Sequence, residues 1–321
     1  MKAVGLTEFG GPEVLKVVDI PEPRPGPRQV RIRVHSVAVN PTDLTFRAGG
    51  RAAQLADRPP PYVPGMDVAG IVEELGEGTA GRLAVGEEVI AYVIPTGPHG
   101  GTYAEQVVVE EASVVPVPRG ASFPEACTLL LNATTARLSL DALSLPSGST
   151  VAVVGAAGAV GGYAIQLAKA DGLTVLAVAG PSDEALVRKL GADVIVEPGE
   201  DIGAQIRVQR PSGAPGLIDG AALDALALPA VADEGGLVTL KGWTGPSERG
   251  IVIHPVSSFS SSTDTALFDR FRSQVEEGIL TLRVAEVLPA KEAGEAHRRL
   301  AAGGVRGRLI LDFSESLEEL P

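Results

Sequence analysis

A chain of 321 residues, 45% of them hydrophobic and with a mean hydropathy of +0.19, has the length for two domains and ample apolar material for buried cores. A formal net charge of −13, from 27 Lys+Arg against 40 Asp+Glu and without a basic run, argues against a nucleic-acid or anionic-membrane partner. No apolar run approaches the roughly 18 residues of a membrane helix, and Met1 to Glu8 lacks the apolar core of a signal peptide. The single cysteine, Cys127, excludes an intramolecular disulfide and fits a reducing compartment, so the cytoplasm is the expected location.

Residues 1–115 read as β-rich, with strands expected over Leu15–Asp19, Gln29–Val39, Gly70–Leu75, Glu88–Tyr92 and Thr102–Val109. In Val30-Arg-Ile-Arg-Val34 apolar and basic residues alternate, which gives one buried face and one wet face. Pro and Gly clusters at Pro21–Pro27, Pro59–Gly65 and Gly97–Gly101 punctuate the segment, as in a distorted barrel. Pro124–Leu143 reads as one largely apolar helix. Its polar positions Asn132, Thr134 and Thr135 have two open readings, bonding back to helix carbonyls or contact with a ligand.

From Thr150 the pattern alternates. Strands are expected at Val151–Val154, Leu173–Ala179, Val194–Glu197, Leu217–Asp219, Leu237–Leu240 and Ile251–Ile253. Helices are expected at Val160–Ala170, Asp183–Leu190, Asp201–Gln209 and Leu223–Asp233. This is the signature of an α/β doubly wound parallel sheet. Asp264–Glu277 and Ala290–Ala302 then read as helices and Arg308–Phe313 as a strand, followed by an acidic tail, Glu315 to Glu319, expected to fray.

The chemistry concentrates after the first strand of the alternating half. Val151–Val154 is followed by Gly155, Gly158 and Gly161, a GxxGxxG spacing, and then by Val160, Ala164 and Leu167 at helical period. Glycine admits positive φ and close approach, and a helix N-terminus attracts a pyrophosphate. The trio is a relaxed form of the dinucleotide-binding G-x-G-x-x-G, with Ala159 and Val160 in the same turn and a βαβ context around it. Gly158 is expected to have the least room, because a Cβ there would meet the bound phosphates.

These segments together resemble the zinc-free quinone oxidoreductase (zeta-crystallin-like) branch of the medium-chain dehydrogenase/reductase superfamily. The resemblance is carried by Phe9-Gly-Gly-Pro-Glu-Val-Leu15, Val39-Asn-Pro-Thr-Asp43, Pro64-Gly-Met-Asp-Val-Ala-Gly70 and Gly101-Thr-Tyr-Ala-Glu105. The glycine turn, Lys189-Leu-Gly-Ala-Asp193 and Gly304-Val-Arg-Gly-Arg-Leu-Ile310 complete it. It implies a GroES-like β-barrel domain over residues 1–123 and 258–321, and a Rossmann NAD(P)-binding domain over 124–257. It also implies a homodimer and NADPH-linked reduction of a quinone or an α,β-unsaturated carbonyl. An enoyl-thioester reductase of a biosynthetic pathway and a non-enzymatic NADPH-binding structural or regulatory protein are the alternatives.

By the same resemblance Asn40 faces the nicotinamide ribose and the substrate carbonyl, Asp43 orders the loop, and Thr134 lies near the nicotinamide. Leu240, Lys241 and Gly242 end a sheet strand, where open α/β sheets bind ligands. Lys241 either polarises a carbonyl or is solvated. Zinc-containing relatives place a cysteine at Asn40 and His-Glu at Met66-Asp67, so no metal site is expected here. His35, His99, His254 and His297 read as surface or structural. Thr45 stands where many relatives have a tyrosine, which leaves Tyr62 and Tyr92 as the other barrel tyrosines to consider for the proton.

The second strand of the alternating half ends Ala177-Val-Ala-Gly-Pro181, with no carboxylate to select a free ribose 2′-hydroxyl. Ser182 is either a donor to a 2′-phosphate or the N-cap of a helix starting at Asp183. Asp183 opposes the phosphate, and Arg188 and Lys189 are its possible counter-charges. The apolar strand Ile251–Ile253 is the expected dimer edge.

Overall fold

The computed structural model describes residues 1–315 and Leu317; apart from Glu315 and Leu317, the acidic tail lies outside the described residues. The chain resolves into two compact units. One comprises Met1–Leu131, Phe259–Glu276 and Leu282–Pro321, and the other Asn132–Ser258 and Glu277–Thr281.

The first unit opens with β1 (Lys2–Gly5) and β2 (Lys16–Asp19), an antiparallel pair. Then follow β3 (Gln29–Ala38), α1 (Pro41–Arg47), β4 (Asp67–Leu75), β5 (Glu88–Tyr92), β6 (Gln106–Glu110), β7 (Val114–Pro116) and α2 (Phe123–Ala126). On β3, Val30, Ile32 and Val34 are buried, while Arg31 and Arg33 pair with Glu73 and Glu74 of β4 at 3.0 to 3.5 Å. The expected alternation thus becomes one core face and one charge-matched face.

The helix expected over Pro124–Leu143 is interrupted. Ser122 caps α2, donating its backbone N–H and its hydroxyl to Glu125, and the chain turns before α3 (Leu130–Leu143). At the turn the Thr128 hydroxyl bonds back to the Glu125 carbonyl, which competes with helix continuation.

The second unit holds β8 (Thr150–Val154), α4 (Ala159–Ala170), β9 (Thr174–Val178), α5 (Glu184–Lys189) and β10 (Val194–Val196). These are followed by α6 (Ile202–Gln209), β11 (Ala214–Asp219), β12 (Val231–Thr239) and β13 (Val252–Pro255). All pairings are parallel, in the order β10-β9-β8-β11-β12-β13. Every residue of β8 is buried, as a strand covered on both faces requires. The helix expected at Leu223–Asp233 is absent. Asp224–Ala230 forms a 3₁₀ turn containing Pro229, and β12 begins directly after it. Proline lacks the N–H and blocks the preceding turn, so a helix does not run through position 229.

The chain then returns to the first unit with α7 (Thr265–Glu276), β14 (Val284–Pro289), α8 (Ala293–Ala302) and β15 (Arg308–Asp312). Strand order in that unit is β14-β15-β3-β4-β5-β7, with β6 also paired to β3. Besides β7, three elements were not anticipated. They are β1, the seven-residue α1, and β14, whose single buried residue, Leu288, gives little pattern to read. Among the described residues no helix is long and apolar enough to cross a membrane.

Candidate functional site

In the second unit β8 ends at Val154, and Gly155 takes φ +70°, the left-handed region that favours glycine. A Cβ on Gly155 would lie 3.0 Å from the Gly220 backbone, and the Gly220 N–H donates to the Val154 carbonyl at 3.0 Å. The ends of β8 and β11 therefore meet backbone to backbone. This is where the strand order reverses, the point at which doubly wound sheets bind ligands. Gly158 N-caps α4 and donates its N–H to the Gly155 carbonyl at 3.0 Å.

Against the protein's own atoms the tightest position in the turn is Gly161. A Cβ on Gly161 would stand 2.3 Å from the Gly155 carbonyl oxygen and 2.9 Å from Ala156 Cα, whereas one on Gly158 meets only that carbonyl, at 3.1 Å. The confinement at Gly161 comes from the protein's own turn, which sequence spacing does not reveal. The first-turn N–H groups of α4, those of Ala159, Val160 and Gly161, have no intrahelical acceptor, and they stand at the positive end of the helix. The turn fits a pyrophosphate.

Other expected residues follow the carboxyl ends of the same parallel strands. Ser182 lies in a 3₁₀ turn after β9 and is exposed. Asp183, not Ser182, occupies the N-cap of α5, and its side chain is buried. Arg188 pairs with Glu184 at 2.8 Å, one helical turn away. Leu240 is half-buried just beyond β12, while Lys241 and Gly242 are exposed, in a turn closed by the Thr239 hydroxyl on the Trp243 carbonyl. On α3 Thr134 is fully buried with its hydroxyl unpartnered, and Asn132 has an unpartnered Nδ2. Thr134 therefore does not bond back to the helix; Ser139 does, to the Thr135 carbonyl. Asp219, at the end of β11, was not anticipated. Its buried carboxylate accepts from the Ala221 and Asp224 N–H groups and shapes the turn beside Gly155.

Asn40 belongs to the first unit. Pro41 starts α1, and Asn40 is its N-cap. The Asn40 backbone N–H donates to Asp43 Oδ2 at 2.8 Å. Its Nδ2 donates to Asp67 Oδ2 at 3.0 Å and to the Ala38 carbonyl at 3.1 Å. Two acceptors fix the amide orientation and occupy both Nδ2 hydrogens. Oδ1 is left buried and unpartnered. Asn40 thus offers an acceptor, while both its Nδ2 hydrogens are taken within the protein.

The groups behind Asn40 come from distant parts of the chain. Asp43 Oδ1 accepts from the Gly65 N–H at 3.2 Å, and Asp67 Oδ1 from the Leu131 N–H at 3.0 Å. The Tyr103 hydroxyl lies 3.3 Å from Asp43 Oδ2 and 3.1 Å from His297 Nε2. Arg308 is buried and donates to the Val39 carbonyl. Burial pushes the Asp43 carboxyl up to about 7, against the lowering effect of the Asn40 N–H and of Arg308. Burial also raises Asp67, and it raises Tyr103 well above the usual phenol range. It lowers His297 to about 3, assisted by the nearby Arg47.

The other tyrosines and Thr45 have local roles. Tyr62 donates to the Arg58 carbonyl and stacks on Phe9, and the Tyr92 ring lies 6.2 Å from that of Phe268. The Thr45 hydroxyl bonds back to the Pro41 carbonyl. His297, one of four scattered histidines in the sequence, is the one drawn into the buried cluster.

Comparison with known proteins places this architecture. The quinone oxidoreductase of Mus musculus is 32% identical over 331 residues, covering 97% of each chain. The chain belongs to the quinone oxidoreductase family. It is an oxidoreductase of the nicotinamide-dependent, medium-chain dehydrogenase/reductase fold. The family described as "Alcohol dehydrogenase GroES-like domain" matches residues 26–119, and "Zinc-binding dehydrogenase" matches 190–311. A solved NAD-dependent alcohol dehydrogenase is 32% identical at a TM-score of 0.84, covering 98% of this chain and all of its own. A mycobacterial protein solved with NADPH is 27% identical at 0.85, covering 97% and 99%.

The donor set does not fit the zinc named in that second family. Asn40 is a neutral amide in place of a thiolate, Met66 is a buried thioether, and both Asp67 oxygens accept from protein N–H groups. Among the described residues no three His, Cys, Asp or Glu side chains are grouped to hold a metal.

The Asp43 shift has a stability consequence. Its ordinary value is 3.8 and its folded value about 7, so the folded protein binds the proton more tightly. That contribution is complete below pH 3.8 and is lost as pH rises through 7. Relative to Asp43→Asn, the protein should lose about 1.4 kcal/mol per pH unit across this window. Chemical denaturation at stepped pH values checks it; a constant difference between the two proteins would contradict the shift.

Proposed function

We propose that the protein is a zinc-independent, NADPH-dependent reductase of quinones or α,β-unsaturated carbonyls. The observation that carries this reading is the glycine turn. Gly155 and Gly161 exclude side chains where β8 passes into α4, and the helix presents its first-turn N–H groups there. The bound cofactor supplies the hydride, and the protein supplies position and polarity. Asn40 Oδ1 serves as acceptor for a hydroxyl of the nicotinamide ribose, and Thr134 offers its unpartnered hydroxyl to the nicotinamide. Ser182 and the segment Leu240–Gly242 complete the cofactor contacts, with Lys241 free to reach a polar substrate group. In this reading residues 1–123 and 258–321 form the catalytic domain and 124–257 the cofactor domain.

The preference for NADPH rests on the end of β9. The strand itself ends without a carboxylate, Asp183 is buried, the exposed Glu184 is paired with Arg188, and the Ser182 hydroxyl is not consumed as a helix cap. Arg188 is engaged by Glu184, so Lys189 is the remaining exposed cation of that helix. The two solved relatives divide between NAD and NADPH in their descriptions, so this point turns on the chain's own residues.

Steady-state oxidation of both cofactors against a panel of quinones, enones and enoyl thioesters tests the reading. We expect kcat/KM to favour NADPH by about tenfold, the scale of one charge-assisted contact. A tenfold preference for NADH would reverse the assignment.

Zinc independence is checked by elemental analysis of protein purified without added metal, where less than one zinc per chain and full activity after chelation are expected. Stoichiometric zinc with chelator-sensitive turnover would refute it.

We also propose a cytoplasmic homodimer joined along β13. This strand is at the edge of the sheet, and Val252 is 52% exposed on it. An apolar edge is an association site, and a two-fold axis closes it. Light scattering at micromolar concentration should give twice the 32.9 kDa chain mass; a monomer would exclude the interface.

A further inference from the structure

Asp43 is the third residue of α1 and accepts from the backbone N–H of the N-cap residue Asn40, one half of a capping box. A capping carboxylate is usually wet. This one is fully buried, and it touches three other groups: the Asn40 N–H at 2.8 Å, the Gly65 N–H at 3.2 Å and the Tyr103 hydroxyl at 3.3 Å. The phenol has one proton and two acceptors in reach, since His297 Nε2 lies 3.1 Å away on its other side. His297 is itself fully buried, and its Nδ1 has no partner in the protein.

We propose that Asp43 is a positioning residue for Asn40, and that Tyr103 and His297 form the buried chain through which it gains and loses its proton. The proposal rests on the reading of Asn40 as a cofactor contact. With Asp43 ionised, the phenol donates to the carboxylate, and His297, protonated on Nε2, donates to the phenol oxygen. A proton arriving at Nδ1 releases the Nε2 proton to the phenol oxygen, and the phenol passes its own proton to Asp43 Oδ2. The carboxyl then donates to the phenol, the phenol donates to Nε2, and the imidazole keeps its proton on Nδ1. One proton is gained, the imidazole changes tautomer, and every hydrogen bond in the chain survives.

The ionised carboxylate is the stronger acceptor for the Asn40 and Gly65 N–H groups. Ionisation therefore tightens the two backbones that carry the site. The charges facing this chain are Arg308 and Asp67 toward Asp43, and Arg47 toward Tyr103 and His297, with Glu13 beside Arg47. Burial brings the Asp43 carboxyl to about 7, and it keeps His297 neutral across the same range.

The two aromatic partners pull in opposite directions, which a packing role does not produce. Tyr103→Phe removes a donor to the ionised carboxylate and should raise the Asp43 midpoint. His297→Phe removes the acceptor that the phenol proton uses only while Asp43 is protonated, which weakens the protonated state and should lower the midpoint. Each shift should be about half to one pH unit, the scale of one hydrogen bond. His297→Gln keeps an acceptor and should restore the midpoint of the unaltered protein.

Two readouts on the full chain test this. One is the pH profile of kcat/KM for NADPH oxidation, expected to rise through about 7 in the unaltered enzyme. The other is carboxyl ¹³C NMR, with Asp43 assigned by its loss in Asp43→Asn. The NMR titration needs no turnover, so it stands even if the proposed reduction is not observed. A rising profile and opposite shifts support the chain. An Asp43 midpoint near 4, unmoved or same-direction shifts, or a flat profile beside a normal NMR titration would overturn it. Should His297→Phe not fold, the ¹³C midpoints of the unaltered protein and of Tyr103→Phe decide alone.

Discussion

The first unit is built around a buried imbalance of charge. Asp43 and Asp67 are both out of water, and the buried cation facing them is Arg308. Removing a carboxylate from water costs several kcal/mol unless it is paired and hydrogen-bonded. Here the deficit is met by backbone N–H groups, from Asn40 and Gly65 to Asp43 and from Leu131 to Asp67. The Asn40 side chain adds a further donor to Asp67. Asn40 is therefore held at both ends by the groups it helps to solvate. Its free Oδ1 follows from that arrangement, since an amide with two acceptors on its nitrogen must aim its oxygen elsewhere.

The second unit obeys a steric constraint. Two strand ends, at Gly155 and Gly220, approach until a Cβ on either would meet backbone atoms at 3.0 Å or less. Polar side-chain recognition is sparse there, and the anion-binding capacity comes from main-chain N–H groups at the start of α4. The two units thus contribute different things. One brings an unadorned backbone surface, and the other a buried, hydrogen-bonded set of ionisable side chains.

This difference explains what the sequence made legible. Strand and helix periodicity in residues 150–209 is local and strong, and β8, α4 and β9 fall within one residue of expectation at each end. The glycine spacing identified the turn, but the confinement of Gly161 by the turn's own backbone depends on φ and ψ rather than on spacing. The site in the first unit was barely legible. Asn40 was legible only through the family resemblance, because Pro41 opens a helix too short to show a period. Tyr103 and His297 are 194 residues apart and meet only in the fold. His297 had nothing beside it in sequence to distinguish it from the other three histidines. Pro229 was visible, yet the apolar run around it outweighed it, and a strand was read as the end of a helix.

The same charge balance bears on the zinc question. Zinc-containing relatives place a thiolate donor where this chain has Asn40. A thiolate here would be a third buried anion beside Asp43 and Asp67, with Arg308 alone opposing them. Such a set is tolerable only around a divalent cation, because buried like charges in a low dielectric repel strongly. A neutral amide removes that demand, and it supplies two hydrogens where a thiolate supplies none. The exchange of cysteine for asparagine is thus more than the loss of a ligand. On the proposed zinc-independent reading, it converts a position that needs a metal into one that satisfies a neighbouring carboxylate and keeps an acceptor spare. On the proposed reading that spare acceptor is what the cofactor meets, and the proton on Asp43 determines how firmly it is held.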